Sequence, residues 1–148
     1  MTAADLVDVV GAEEETPAWS AAQFVAELHQ PRGWQLVARL TASRDFAGSI
    51  CCRSVAEEAE IVKFAVVRGL RRQGVGSALL AAALRRMTSE GVASCFLEVR
   101  ASNVAACRLY EKHGFQQIAT RARYYREPEE DALLYRLDLL CANRGQPV

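Results

Sequence analysis

The arginines and glycines between residues 68 and 77 have the types and spacing of a phosphate-binding turn. They form the pattern Arg71-x-x-Gly74-x-Gly76, which follows a short apolar segment, Ile61–Val67, and precedes a long amphipathic one. A strand that leads into a helix places unpaired N–H groups and the positive end of the helix dipole at this junction. Because glycine lets a ligand approach the backbone closely, we predict that the turn binds a phosphate group. The alternative is a glycine-rich turn with solvated arginines.

Two other phosphate-binding loops do not fit this stretch. A Walker loop would begin at Gly69-x-x-x-x-Gly74 and continue with lysine, but Val75 follows. The dinucleotide-binding fingerprint needs a third glycine, which is absent. The pattern therefore predicts a phosphate site of a different kind.

Glu98 is the second residue that could do chemistry. It lies near the carboxyl end of an otherwise apolar segment, 94–100, and shares a face with Phe96 if the segment is a strand. Ligands of α/β sheets bind at the carboxyl ends of strands, so Glu98 is either a salt-bridged structural residue or a chemical group. Tyr110 follows on the next helical pattern, where its ring would pack on the sheet with the hydroxyl at the edge. Glu60 is a reserve candidate for a base.

The surrounding pattern predicts the elements that position these residues. Leu80, Ala83, Leu84 and Met87 define one face of a helix that Gly91 ends. The order of strand, helix and strand predicts a right-handed crossover with parallel pairing. The other predicted elements are a broken helical region over 5–28, a helix over 104–113 capped by residues 101–103, and strands over 34–40, 46–55, 115–120 and 132–139.

Composition limits the class of protein. The 148 residues carry 18 basic and 18 acidic side chains, and this zero net charge disfavours a general nucleic-acid binder. The length predicts a single domain, 1–148, with a frayed tail from about residue 141. The five cysteines show no metal-binding spacing, so we interpret them as buried small hydrophobes and predict no metal site. No leader or membrane-spanning stretch is recognisable, which predicts a cytoplasmic protein without a membrane partner.

Further stretches carry a resemblance to a known family. They read Leu97-Glu98-Val99-Arg100-Ala101-Ser102-Asn103, Leu109-Tyr110-Glu111-Lys112-His113-Gly114-Phe115, Arg123-Tyr124-Tyr125 and Glu130-Asp131-Ala132. With the glycine turn, and in this order, they resemble the GCN5-related N-acetyltransferases (GNAT family), and within it the RimI-type alanine N-acetyltransferases of bacterial ribosomal proteins. The resemblance extends from about Trp19 to about Leu139.

The resemblance implies a fold and a reaction. The fold is the α/β acyl-CoA N-acyltransferase fold: a central, mixed and mostly antiparallel sheet with a parallel central strand pair, flanked by helices. Its first edge strand is expected to be missing or very short in this chain. The implied reaction is acetyl transfer from acetyl-CoA to the N-terminal alanine of a small-subunit ribosomal protein. A monomer is favoured, with no nucleic acid and no metal involved.

The resemblance also implies roles for individual residues. Glu98 matches the general base and Tyr110 the general acid. Contacts with acetyl-CoA are implied for the strand backbone at Phe64, Ala65 and Val66, for the pyrophosphate turn of Arg71, Arg72, Gln73, Gly74, Val75, Gly76 and Ser77, and for Asn103. Tyr124 and Tyr125, with the acidic residues that follow them, are expected to form a loop that binds an extended peptide.

Other functions remain open on the sequence alone. The same fold could act on other protein N-termini, on lysines or on a small amine such as a polyamine. A non-catalytic alternative is an interaction module that uses its arginines, Arg68, Arg71 and Arg72 or Arg121, Arg123 and Arg126, as a charged surface. Catalytic turnover separates the first group from the second.

Overall fold

A computed structural model describes residues 33–40, 43, 45–71 and 74–140. The predicted helical region over 5–28 and the tail from 141 lie outside these residues, as do Arg72 and Gln73. The described residues group into two compact units. One comprises residues up to Arg53 with Val62–Ala83, and the other comprises Ser54–Ile61 with residues from Leu84 onward. That the whole chain forms one domain stays a prediction.

The described strands form one six-stranded sheet. They are β1 (Gly33–Arg39), β2 (Phe46–Val55), β3 (Glu58–Val66), β4 (Ser94–Arg100), β5 (Gln116–Arg126) and β6 (Glu129–Asp138), in the spatial order β1-β2-β3-β4-β6-β5. β3 and β4 are parallel, while β1 pairs antiparallel with β2 and β6 pairs antiparallel with both β4 and β5. The predicted mixed sheet with a parallel central pair is confirmed.

Helix α1 (Val75–Ser89) follows the predicted glycine turn. Of the four predicted apolar positions, Leu80, Ala83 and Met87 are fully buried and Leu84 is half-buried. The helix ends at Gly91, whose φ is +82°. There the Val92 N–H donates to the Met87 carbonyl oxygen at 3.0 Å, as in a Schellman motif.

Helix α2 (Val104–Lys112) begins where the sequence predicts and ends one residue earlier, with His113 as its C-cap. The Asn103 side-chain oxygen accepts a hydrogen bond from the Ala106 N–H at 3.2 Å and caps the first turn. Gly114, with φ +97°, ends the helix, and the Phe115 N–H donates to the Tyr110 carbonyl oxygen at 3.0 Å. The helix buries Cys107 and Tyr110.

The last two strands are longer than predicted. β5 continues to Arg126 rather than ending at residue 120, and β6 begins at Glu129 rather than at residue 132. The expected loop at Tyr124 and Tyr125 is therefore wrong, because both tyrosines belong to β5. Nearly all of β5 is exposed, so its sequence lacks the apolar alternation that reveals a half-buried strand. Its pairing with β6 decides its length.

The four cysteines that the structure describes are buried, as predicted. Burial, and to a lesser extent the Glu60 carboxylate, raises the pKa of the Cys95 thiol to about 12. A thiol with this pKa is a poor nucleophile at neutral pH. Neither α1 nor α2 is long and apolar enough to cross a membrane.

Candidate active site

The end of β3 and the turn after it carry the predicted cofactor contacts. Ala65 is buried, while Phe64 and Val66 are half-buried. A short 3-10 helix, Arg68–Leu70, follows the strand and was not predicted. The Arg71 Nε donates to the Val66 carbonyl oxygen at 3.3 Å. The exposed guanidinium of Arg71 is thereby held at the carboxyl end of β3.

Gly74 has a backbone conformation that favours glycine. Its φ is +86°, and a Cβ built there would have no atom within 4 Å. Its carbonyl oxygen accepts the first hydrogen bond of α1, from the Ala78 N–H at 3.0 Å. The sequence had suggested glycine for close approach of a ligand, whereas the structure adds a conformational reason. Val75 and Gly76 begin the helix, at its positive end.

Gly48 on β2 is a residue that sequence reasoning missed. A Cβ at this position would lie 2.6 Å from the Ala65 carbonyl oxygen and 3.2 Å from the Val66 Cα. One residue earlier, the Ala47 carbonyl oxygen accepts a hydrogen bond from the Val67 N–H at 2.8 Å. The missing side chain thus lets β2 approach the segment that is predicted to contact the cofactor. A glycine inside a strand pattern is the signal that could have identified it.

Gly48→Ala is expected to displace β3 at Ala65, because the new methyl group meets backbone rather than a flexible side chain. We expect a loss of about 1–3 kcal/mol in the free energy of unfolding, together with weaker cofactor binding. Chemical denaturation and calorimetry measure the two effects. Wild-type stability and cofactor affinity in the Gly48→Ala variant would contradict the assigned role.

Glu98 lies on β4 with its side chain 22% exposed, and its Oε1 is 3.1 Å from the Arg121 Nη1. In the strand registers, Glu98 pairs with Leu134 of β6, and Leu134 pairs with Ala119 of β5. Two positions further along, Arg100 pairs with Ala132, which pairs with Arg121. Since side chains alternate across a sheet, these rows all project from one face, which we call the Glu98 face.

A β-bulge shapes the Glu98 face. Arg121 pairs with Ala132 and Tyr125 with Glu130, so three residues of β5 stand opposite one residue of β6. Arg123, in the middle of the bulge, has a φ of +53°, and its N–H donates to Asp131 Oδ1 at 2.9 Å. The bulge therefore places Arg121 and Tyr125 opposite positions only two apart on β6, on the same face. A regular strand would separate them by about 13 Å.

Arg100 and Glu130 join this face to the start of α2. Arg100 Nη1 donates to the Pro128 carbonyl oxygen at 3.1 Å and lies 3.6 Å from Glu130 Oε2. Its guanidinium also covers the Tyr125 ring at 4.1 Å. The other Glu130 oxygen accepts the Ser102 N–H. Hydrogen bonding from the Ser102 side chain, and next from this N–H, lowers the pKa of the Glu130 carboxyl. The residue before Asn103 is thus tied to β6.

Tyr125 is the phenol on the Glu98 face. Burial, and next the Glu98 carboxylate, raise the pKa of the Tyr125 hydroxyl. The phenol therefore stays protonated over a wider pH range than usual and can act as a hydrogen-bond donor there. The sequence identified Tyr125 but placed it in a loop.

Tyr110 lies against the opposite face. Its ring is 7% exposed and packs edge-on against Phe115 at 5.8 Å and against Tyr135 at 6.3 Å. Tyr135 pairs with Leu97, the neighbour of Glu98, so it projects from the other side of the sheet. The buried Tyr135 hydroxyl donates to Glu111 Oε1 at 2.9 Å. The structure therefore does not bring Glu98 and Tyr110 together on one face.

Asn103 is exposed and caps α2 through its side-chain oxygen. Glu60, the reserve candidate, is exposed on β3 and pairs with Phe96, two residues before Glu98. Glu60 therefore stays an alternative candidate for the general base. A contact of Asn103 with the cofactor stays a prediction.

A sequence model of the acetyltransferase (GNAT) family matches residues 7–115, which is most of the chain. The chain belongs to the GNAT family. The predicted family and fold are thereby confirmed. The protein is an acetyl-CoA-dependent N-acetyltransferase.

This GNAT protein is similar in sequence to two relatives and in structure to one crystal structure. The ribosomal protein bS18-alanine N-acetyltransferase of Escherichia coli K12 is 38% identical over 103 residues, which are 68% of this chain and 70% of the relative. An N-alpha-acetyltransferase of Sulfurisphaera tokodaii is 30% identical over 122 residues, 82% of this chain and 72% of the relative. The crystal structure of the Escherichia coli ribosomal-protein-S18-alanine N-acetyltransferase superposes with a TM-score of 0.84 at 32% identity, covering 94% of this chain and 90% of that one.

GNAT enzymes use acetyl-CoA as their acetyl donor. The described part of the turn fits a pyrophosphate group. Gly74 adopts a left-handed conformation at the N-terminus of a 15-residue helix, with open space beside it, and Arg71 supplies an exposed cation. Bound there, the donor would supply an activated acetyl thioester.

Proposed function

We propose that this enzyme acetylates the α-amino group of protein N-termini, and that its acceptor is the N-terminal alanine of a small-subunit ribosomal protein. The observation that carries the proposal is the partly exposed Glu98 carboxylate, which lies among cationic and phenolic side chains on one face of the sheet. The relatives that act on ribosomal protein bS18 and on α-amino groups support the choice of acceptor.

The chemistry requires a base. An α-amino group has a pKa of about 8, so near neutrality most of it is protonated and cannot attack. Glu98 takes a proton from this ammonium group, directly or through a water, and frees the nitrogen lone pair to form the new amide bond. Backbone N–H groups of the Phe64–Val66 strand stabilise the negative charge on the carbonyl oxygen. Tyr110 donates a proton to the thiolate that departs when the thioester C–S bond breaks, and the second proton of the attacking nitrogen passes to water. No covalent enzyme intermediate is needed.

The structure changes the expected account of peptide recognition. Of the acidic residues after Tyr125, Glu130 binds the Ser102 N–H and Arg100, and Asp131 accepts the Arg123 N–H. These two carboxylates already serve the β5–β6 hairpin, and Glu129 lies 3.1 Å from the Arg123 guanidinium. Attraction of a basic peptide therefore falls mainly to the exposed Glu127. Tyr124, which is 49% exposed, remains available as a stacking surface.

A comparison of acceptors tests the proposed function. A peptide beginning Ala-Arg-Tyr is expected to show a kcat/KM about tenfold or more above that of its N-terminally blocked, lysine-containing analogue and above that of spermidine. The reason is that a lysine amine is longer and more basic, so Glu98 deprotonates it less readily. Steady-state kinetics and intact mass of the products measure the preference. Equal or greater turnover of either control would favour the lysine or small-amine alternative instead.

A further inference from the structure

The proposed base already has a cationic partner. The Arg121 guanidinium lies 3.1 Å from Glu98 Oε1, and it reaches across from β5, beyond β6. An acceptor's α-ammonium group carries the same charge and donates the same kind of hydrogen bond. Both groups therefore compete for one carboxylate.

Arg121 can leave this position at small cost. Its side chain is 54% exposed, so water screens the pair, and exposed ion pairs change equilibrium constants by about fivefold at most. Its Cζ also lies 5.4 Å from the centroid of the half-exposed Tyr124 ring, which offers a cation–π contact without Glu98. When another cation binds Glu98, the Arg121 guanidinium can therefore still contact the Tyr124 ring.

The neighbouring arginines are held differently. Arg100 is only 14% exposed and is bound by Glu130, the Pro128 carbonyl oxygen and the Tyr125 ring. Arg123, in the middle of the bulge, lies 3.1 Å from the exposed Glu129. Arg121 is therefore the arginine of β5 that this geometry directs to Glu98.

We propose that Arg121 lowers the affinity for cationic acceptors by competing with them for Glu98. Its guanidinium holds the Glu98 carboxylate in place until the ammonium group of the acceptor displaces it. This inference rests on the proposed role of Glu98 as base. Removal of the guanidinium eliminates a competitor, so a cationic acceptor binds more tightly. A peptide with an acetylated N-terminus has no α-ammonium group to compete at Glu98 and gains nothing.

Binding of the Ala-Arg-Tyr peptide in the presence of coenzyme A, measured by calorimetry, tests this. In Arg121→Met the Kd of the free-amine peptide is expected to fall by about two- to fivefold, while the Kd of the acetylated peptide stays unchanged. Arg121→Lys, which restores a competing cation, should return the wild-type value. Arg123→Met is the matched control, because it removes an ion pair of the same length on the same strand, and it should leave both values unchanged.

A double-mutant cycle separates this inference from the proposed function. In a Glu98→Gln background, where the charge pair is lost, Arg121→Met should tighten binding of the free-amine peptide much less than in the wild type. Circular dichroism shows whether Arg121→Met is folded. If the folded variant binds that peptide with unchanged or weaker affinity, the inference is overturned and Arg121 has only a structural role. If Arg121→Met does not fold, Arg121→Gln is measured in its place. Near-normal turnover of Glu98→Gln would instead refute the role of Glu98 as base, on which this inference rests, while the choice of acceptor is tested by the comparison of peptides and spermidine.

Discussion

Glu98→Gln is expected to slow acetyl transfer by about 10²–10⁴-fold, the range that general acid–base catalysis usually contributes. The amide cannot accept a proton from the acceptor's ammonium group at neutral pH. It can still accept the hydrogen bond from Arg121 Nη1, so the fold and the Glu98 face should survive the change. Single-turnover kinetics at saturating acetyl-CoA isolate the chemical step, and calorimetry should show little change in cofactor affinity.

Glu60→Gln tests the alternative candidate for the base in the same experiment. Glu60 is an exposed carboxylate on β3, paired with Phe96 in the parallel ladder. If Glu98 is the base, Glu60→Gln retains turnover near the wild-type value. A large loss in Glu60→Gln combined with a near-normal rate in Glu98→Gln would transfer the role to Glu60.

Gly74→Val should weaken acetyl-CoA binding by about tenfold or more, since a β-branched residue strongly disfavours the φ of +86° that this turn requires. The space beside Gly74 is open, so the effect comes from the backbone rather than from a steric clash with the protein. The turn would relax to another conformation and remove its N–H groups from the positions that a pyrophosphate group needs. Calorimetry with acetyl-CoA measures the loss, and circular dichroism confirms that the variant is folded.

Gly69→Val is the matched control within the same connection. Gly69 is also exposed with open space around it, but its φ is not in the left-handed region. The same valine there should change cofactor affinity much less. Equal effects at both glycines would mean that bulk, and not the conformation at Gly74, disturbs binding. An unchanged affinity in Gly74→Val would contradict the pyrophosphate assignment.

Much of the fold could be predicted because its signals are local. The cap at Asn103, the glycines at the ends of both helices and the apolar face of α1 each depend on residues within a few positions of one another, and each was found where expected. β4 likewise spans the predicted segment. The order of these elements, with the run from Leu97 to Asn103, was enough to predict the family.

The sequence by itself therefore determined helices α1 and α2, the central strand β4 and the position of Glu98 on it. The phosphate-binding role of the turn before α1 stays a prediction. Only the tertiary structure decided which side chains surround Glu98. The ion pair with Arg121 depends on the β5–β6 register and on the bulge at Arg123, where β5 pairs with a strand that the chain reaches only later. Gly48 is similar, because its role is visible only when β2 lies against Ala65. Register across a sheet is set by packing and hydrogen bonds between distant segments, and no local periodicity in an exposed strand records it.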